Sequence, residues 1–178
     1  MQIREEILQE KVYYKRHALK VTEYACSSAN NFKQLMQCFT DTDYRLAQRA
    51  AWSVCWAAIQ KPALVTPYLP VLVEQLKTKD VPIAVIRNSI RILQQVEIPA
   101  PLHGDVINIC FDFISEVQTP AAIKAFSLTT LYNLSVVYPE IKQELATIIE
   151  DRLDTETAAF QSRGKKILKA LGKKKARI

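Results

Sequence analysis

The clearest structural pattern in the chain is DTDYRLAQRAAWSVCWAAIQKPALVTPYLPVLVEQLKTK, residues 41–79. Apolar side chains recur in its first half at spacings of three and four, which predicts an amphipathic helix capped by Asp41 or Asp43. Pro62 and Pro67 predict a turn, and a return helix is expected to follow. The inward positions of the two helices are expected to be Leu46, Ala50, Val54, Ala57 and Ala58, then Leu69, Leu72, Val73 and Leu76. The segment therefore predicts a helical hairpin.

Similar hairpins follow along the chain. Basic residues stand mid-way along the first helix of successive hairpins, at steps of 38, 37 and 39 residues; they are Arg49, Arg87, Lys124 and Arg163. This spacing predicts hairpins over 2–40, 43–79, 80–117 and 119–153, then a half repeat. Three local expectations complete the pattern: one long helix over 2–27, Asn30 or Asn31 capping the next helix, and Asp154-Thr155 capping the last.

The apolar sets of the later hairpins follow the same periodicity. The third hairpin is expected to bury Ile83, Ile86, Ile90, Leu93, Val106, Ile109, Cys110, Phe113, Ile114 and Val117. The fourth is expected to bury Ile123, Phe126, Leu131, Leu134, Val137, Ile141, Leu145, Ile148, Ile149 and Leu153. Between the helices of the third hairpin, the link EIPAPLHGD (97–105) contains two prolines and a glycine, so it cannot be helical throughout.

A period near 40 with two helices per unit resembles the HEAT and armadillo-like α-solenoid superfamily. The likeness includes turn aspartates at Asp43, Asp80 and Asp154, each followed by a basic residue on the next helix. The resemblance implies an all-α superhelix of about four and a half hairpins, forming a single domain over 1–171 with a disordered basic tail at 172–178. It also implies first helices on a convex face and return helices on a concave face, where such scaffolds bind partners.

Composition agrees with an ordered, soluble, largely helical chain. Of 178 residues, 49% are hydrophobic and only three are glycine, too few to build a phosphate-binding loop. No apolar run is long enough for a membrane span, and the charged N-terminal segment does not resemble a secretory leader, so a cytoplasmic location is expected. The dispersed cysteines are expected to be reduced core residues rather than metal ligands, and no cofactor is expected; they are Cys26, Cys38, Cys55 and Cys110.

The net charge of +6 is concentrated at the C-terminal end. Residues 163–178 hold eight basic groups and no acid, which leaves 16 basic and 18 acidic groups in 1–162. The basicity is therefore expected to belong to the last helix and tail. These groups could bind phosphates or anionic lipid, or serve only as a solubilising cap on the last repeat; they are Arg163, Lys165, Lys166, Lys169, Lys173, Lys174, Lys175 and Arg177.

Trp52 and Trp56 stand one helical turn apart. They are candidates for an aromatic platform that binds a base, a peptide or a cationic group, or they pack between repeats. One branch of HEAT-like proteins excises alkylated DNA bases with tryptophans and an aspartate in a basic cleft. This chain departs from that pattern, because Gln60 follows Trp56 by one turn and no aspartate accompanies either tryptophan.

The two histidines do not indicate a catalytic site. His17 and His103 are far apart in sequence, and although Asp105 follows His103, no nucleophile is placed nearby. Asp112 and Glu116 stand one turn apart on a return helix, where they could bind a metal or a basic peptide.

These observations favour a non-enzymatic scaffold that binds a protein or peptide along its return helices. The candidate contact residues are Lys77, Asp112, Glu116 and Gln143. The alternatives are a nucleic-acid-associated protein that uses the basic C-terminal helix and tail, and a HEAT-like enzyme such as an alkyl-base DNA glycosylase.

Overall fold

The computed structural model describes residues 1–172, and in this part of the chain every regular element is a helix. The chain forms two compact units, Met1–Ile98 and Pro99–Ile178, whose boundary falls within the proline-containing link 97–105. Unit 1 contains α1 (Ile3–Gln9), α2 (Lys15–Ala25), α3 (Ala29–Phe39), α4 (Tyr44–Gln60), α5 (Pro62–Val65), α6 (Leu69–Lys77) and α7 (Ile83–Leu93). Unit 2 contains α8 (His103–Ser115), α9 (Ala121–Leu134), α10 (Ile141–Arg152) and α11 (Ala158–Ala170).

Helix α4 is the centre of unit 1. It packs against α2, α3 and α7, and the apolar positions predicted for it are buried. The return helix is divided: Pro62 is the first residue of α5, Pro67 lies in a 3-10 turn over Thr66–Tyr68, and Pro70 lies in the first turn of α6. Each proline thus lies where its missing N–H removes no helical hydrogen bond. The prediction of a helical hairpin over this stretch is confirmed.

The prediction of one long helix over 2–27 is wrong. Helix α1 ends at Gln9 and α2 begins at Lys15, so residues 10–14 form a turn, here named the α1–α2 turn. The guanidinium groups of Arg45 and Arg49 donate hydrogen bonds to carbonyl groups at this break, which replace the bonds that a continuous helix would have made. Side chains more than 30 residues away therefore stabilise the break, which local periodicity does not report.

Two of the predicted helix caps differ in the structure. The side chain of Ser28, not Asn30 or Asn31, accepts the backbone N–H of Asn31 at the start of α3, because α3 already begins at Ala29. The last helix, α11, begins at Ala158, later than the Asp154-Thr155 cap predicted.

Of the two cap candidates for α4, Asp43 accepts the N–H groups of Arg45 and Leu46. Asp41 instead accepts the N–H of Asp43 and pairs with Arg4.

Helix α9 holds the corresponding place in unit 2. It packs against α8, α10 and α11, and Ile123, Leu128 and Leu131 on it are fully buried. Gly164 allows α11 to approach α10 closely, since a Cβ at this position would lie 2.8 Å from the Cγ2 atom of Ile149. The core of unit 2 is therefore formed by the inner faces of these four helices.

Three apolar residues that were expected inside are exposed. The exposed fractions are 49% for Ile83, 72% for Val117 and 60% for Val137. Ile83 is the first residue of α7, and the two valines lie beyond the ends of α8 and α9. Helical periodicity does not determine the direction of a side chain at such positions.

Candidate binding surfaces

Helix α4 has a single exposed face. Its other sides are covered by α2, α3 and α7, so that even Arg49 and Ser53 are buried. The residues that remain exposed or half-buried follow helical spacing; they are Tyr44, Arg45, Gln48, Trp52, Trp56, Ile59 and Gln60. The two predicted platform tryptophans therefore lie on the solvent side of α4.

The α1–α2 turn contributes further rings to this face. The Tyr13 ring lies 6.2 Å from that of Trp52, edge to face, and 5.7 Å from that of His17. The Lys15 ammonium lies 4.7 Å from the centroid of the Trp56 ring, within the range of a cation–π contact. Sequence reasoning missed Tyr13 and Lys15, although the alternation of aromatic and basic residues in KVYYKR (11–16) is a signal that points to them.

Tyr13 is fixed in this position. Its hydroxyl oxygen lies 3.3 Å from that of Ser53, and its ring lies against the Arg49 guanidinium at 5.1 Å. Burial raises the pKa of Tyr13, while the hydrogen bond with Ser53 and the charge of Arg49 act in the opposite direction. The phenol is therefore a neutral structural group in this surface.

Helix α7 borders the other side of the same face. Arg87 is exposed and Arg91 is half-buried. Both guanidinium groups lie close to Cys55 on α4: burial raises the pKa of this thiol, and the two positive charges partly offset that rise. Helix α4 thus presents its tryptophans between basic side chains of α2 and of α7.

The charge distribution refines one expectation from the sequence. The near-zero net charge of residues 1–162 is the sum of a basic part and an acidic part. Residues 1–98 hold 13 basic and 9 acidic groups, whereas residues 99–162 hold 3 basic and 9 acidic groups. The excess of basic over acidic groups is largest in α2, α4 and α7, which together carry seven basic groups and one acid, Glu23. The net basicity of the chain resides in the last helix and tail, as the sum over 1–162 indicates, but unit 1 carries its own excess of basic groups.

The acidic groups of unit 2 are concentrated on its return helices. Asp112 is exposed on α8, and Glu116 is exposed one residue beyond the end of that helix. Helix α10 packs beside α8 and exposes Gln143 and Glu144, with the Gln143 amide 3.4 Å from the hydroxyl of Thr147. Two of the four predicted partner-binding residues, Asp112 and Gln143, thus lie on the return helices of unit 2, and Glu116 follows α8 directly.

The other predicted contact residues lie elsewhere. Lys77 belongs to unit 1 and pairs with Glu74 at 2.9 Å in the last turn of α6. On α11, Lys165, Lys166 and Lys169 are exposed, whereas Arg163 is half-buried and donates to the hydroxyl of Thr129. The remaining candidates for anion binding lie outside the described residues; they are Lys173, Lys174, Lys175 and Arg177.

The histidines have structural contacts. The His17 imidazole accepts the backbone N–H of Tyr14 through Nδ1 at the start of α2. His103 Nδ1 lies 3.0 Å from the Tyr138 hydroxyl, and the two rings pack edge to face. Within residues 1–172, no group of three His, Cys, Asp or Glu side chains is arranged to hold a metal ion.

All four cysteines are buried free thiols, as expected. Burial raises the pKa of Cys38 to about 11 and that of Cys110 to about 12. Both side chains are therefore protonated at neutral pH, which makes them poor nucleophiles and poor metal ligands.

A family comparison now defines the class of protein. The model of the HEAT repeat domain matches residues 5–171, nearly the whole chain. The chain therefore belongs to the HEAT repeat family, and its all-α fold of helical hairpins is that of a HEAT-like α-solenoid. No curated protein and no solved structure gives a significant match.

Membership of this family indicates a general role in protein interaction. HEAT repeats generally mediate protein interactions, and the family is typically non-catalytic. Among the described residues, no helix has the length and apolar character needed to cross a bilayer.

Proposed function

We propose that the chain is a non-enzymatic interaction module that binds a basic polypeptide segment on the exposed faces of α8 and α10. The observation that carries this proposal is the acidic surface of unit 2, where Asp112 on α8, Glu116 directly after α8 and Glu144 on the neighbouring α10 are exposed. The family supports the general role, because HEAT repeats usually act in protein interactions. The proposal adds the face and the chemistry of the partner.

The charge balance of unit 2 favours a basic partner. Of the three basic residues within 99–162, Lys124 is buried and Arg152 is half-buried. The Arg152 guanidinium donates to the carbonyl of Ser115 and to the carboxylate of Glu156, so it is already engaged. A lysine-rich or arginine-rich segment lying along α8 would meet mainly carboxylates, which raises the association rate and selects against acidic partners.

Peptide binding tests this proposal. A labelled lysine-rich peptide long enough to span the 13 residues of α8 is titrated with the full chain at low and moderate salt. The Asp112→Asn/Glu116→Gln variant is expected to bind about fivefold more weakly, since each exposed ion pair contributes up to about 1 kcal/mol. The affinity is also expected to fall with added salt.

A matched variant separates this site from general charge effects. Glu5→Gln/Glu97→Gln removes the same charge from exposed positions of unit 1. It should leave peptide binding unchanged. Equal weakening by both variants would show that the peptide responds only to net charge, and the proposed face would be wrong.

The absence of enzymatic activity and the cytoplasmic location are proposed from the sequence. Nucleic-acid association through α11 and the C-terminal tail, and base excision, receive no support from the comparisons.

A further inference from the structure

We infer that unit 1 carries a second binding surface, independent of the acidic face of unit 2, whose ligand is single-stranded nucleic acid. This basic-aromatic surface is defined by Lys15 of α2, Trp52 and Trp56 of α4, and Arg87 and Arg91 of α7. It combines the two elements that bind a single strand without sequence preference: cations for the phosphates and aromatic rings for the bases.

The aromatic element is preorganised. Trp52 is fixed by the Tyr13 ring, and Tyr13 in turn lies against Arg49 and Ser53. The backbone of the α1–α2 turn is itself held by guanidinium groups, since Arg45 and Arg49 each donate to the carbonyls of Glu10 and Lys11. The Trp52 indole therefore needs little ordering when a ligand arrives, which reduces the entropic cost of binding.

The basic element comes from α2 and α7, the helices that pack against α4. Lys15 covers one face of the Trp56 ring, so its ammonium has to move aside for a base to stack there, and it then lies beside the phosphates of the strand. Arg87 and Arg91 follow one another by one turn on α7 and have no ion-pair partner among residues 1–172. Helices α4 and α7 contain no acidic residue, so a polyanion meets no repulsive charge along them.

Some acidic groups lie nearby and limit the extent of the surface. The Glu6 carboxylate lies 2.7 Å from the Lys20 ammonium, so this lysine is already paired and is not counted as part of the surface. Glu23 is exposed two turns after Lys15 on α2, and Glu10 is exposed in the α1–α2 turn. The basic-aromatic surface is therefore centred on α4 and α7 rather than on the whole of α2.

The aromatic element favours a nucleic acid over an acidic peptide. An acidic peptide would satisfy the cations but would not use two half-exposed indoles one turn apart, whereas the bases of a single strand can stack on both. Double-stranded nucleic acid fits less well, because its bases are already stacked on each other. The expected ligand is thus a flexible single strand of DNA or RNA.

The tryptophans themselves provide the first readout. The chain has only two, and both lie in this surface. Titration of the full chain with a deoxythymidine oligonucleotide of about 12 nucleotides, a length within the site sizes of single-strand binding surfaces, is expected to quench their fluorescence. Binding of the strand without quenching would overturn the proposed stacking, and the absence of binding at low salt would overturn the site.

Charge variants locate the site. Arg87→Gln/Arg91→Gln is expected to weaken binding about tenfold and to reduce the slope of log K against log salt by about 1.4, the value for two phosphate contacts on a single strand. The matched variant Lys33→Gln/Lys142→Gln removes the same charge from exposed positions of α3 and α10, outside this surface. It should change neither quantity. Equal losses in the two variants would show nonspecific attraction to net charge.

A competition experiment tests the alternative ligand. Poly-glutamate carries carboxylates without bases, so it should displace the labelled strand only at a large molar excess and should not quench the tryptophans. Displacement at equal concentration of charges would assign the surface to acidic polypeptides and overturn the inference.

Discussion

Arg49 and Lys124 occupy corresponding positions in the repeat, yet their buried charges are stabilised differently. Arg49 is 8% exposed in unit 1 and donates to the carbonyl groups of Ile7, Glu10 and Lys11 at 2.8–2.9 Å, with the Tyr13 ring on one side. No carboxylate takes part in these contacts. Burial lowers the pKa of Arg49, as does the neighbouring charge of Arg45.

Lys124 is 2% exposed in unit 2 and uses a carboxylate. Its ammonium donates to the Val117 carbonyl at 3.2 Å and to Glu156 at 2.5 Å, and Arg152 reaches the same Glu156 oxygen at 2.6 Å. Burial acts to raise the pKa of Glu156, but the hydrogen bonds and charges of Lys124 and Arg152 outweigh it, so that the pKa is lowered overall.

The difference follows from the shapes of the two cations. The planar guanidinium of Arg49 spreads several donors over carbonyls that the end of α1 leaves without helical partners. A lysine ammonium is compact and more strongly hydrated, so its burial calls for a full negative charge close by. The same repeat position thus supports a neutral cluster of carbonyls in unit 1 and an ion-pair network in unit 2.

Substitution in the ion-pair network of Lys124 should lower the free energy of unfolding more than substitution of Arg49. Lys124→Met leaves the buried Glu156 with Arg152 alone, and the free energy of unfolding of unit 2 is expected to fall by about 3 kcal/mol, at the lower end of the range for a broken buried pair. Urea denaturation measures this loss. Lys142→Met, which changes an exposed lysine on α10, is the control and should cost less than about 0.5 kcal/mol. A similar cost for both variants would mean that Lys124 is not engaged as described.

Removing Arg49 should have the next largest effect. Arg49→Met leaves buried carbonyls in the α1–α2 turn, with only Arg45 to compensate, and is expected to cost about 2 kcal/mol. Hydrogen exchange in residues 10–14 should accelerate. Arg87→Met is the matched control, because Arg87 stands at the same repeat position but is exposed. Unchanged exchange in the turn would contradict the role given to Arg49.

These residues also show which features of the fold and of the candidate site could be predicted from the sequence. Repeat spacing, helix periodicity and the buried positions around α4 could be predicted, since they depend on local patterns that the HEAT repeat imposes. The break between α1 and α2 could not, because it depends on Arg45 and Arg49, which are distant in sequence. The pair of Trp52 and Trp56 was visible as a candidate platform, whereas its partners on α2 and α7 became evident only when the helices were packed side by side.

The ion-pair network around Glu156 and the carbonyl contacts of Arg49 should differ in their response to acid. Because the pKa of Glu156 is lowered in the folded chain, its ion pairs stabilise unit 2 fully at any pH above the pKa of this group in the unfolded chain. This stabilisation is lost as the pH falls through the pKa of Glu156 in the folded chain. The carbonyls around Arg49 do not titrate. Hydrogen exchange followed from neutral to acidic pH should therefore show earlier loss of protection at the start of α11 than in the α1–α2 turn. Glu156→Gln should abolish the difference.

The smallest expected effect concerns the hydroxyl of Tyr13. Tyr13→Phe keeps the ring contacts with Trp52 and Arg49 and removes only the 3.3 Å contact with Ser53, which retains its own bond to the Ala18 carbonyl. The expected cost is about 0.5 kcal/mol, at the low end for a hydrogen bond, measured by urea denaturation. Tyr14→Phe, in which the hydroxyl belongs to a 54% exposed side chain, should cost nothing measurable. A loss above about 2 kcal/mol for Tyr13→Phe would mean that the hydroxyl, rather than the ring and the two arginines, positions the α1–α2 turn.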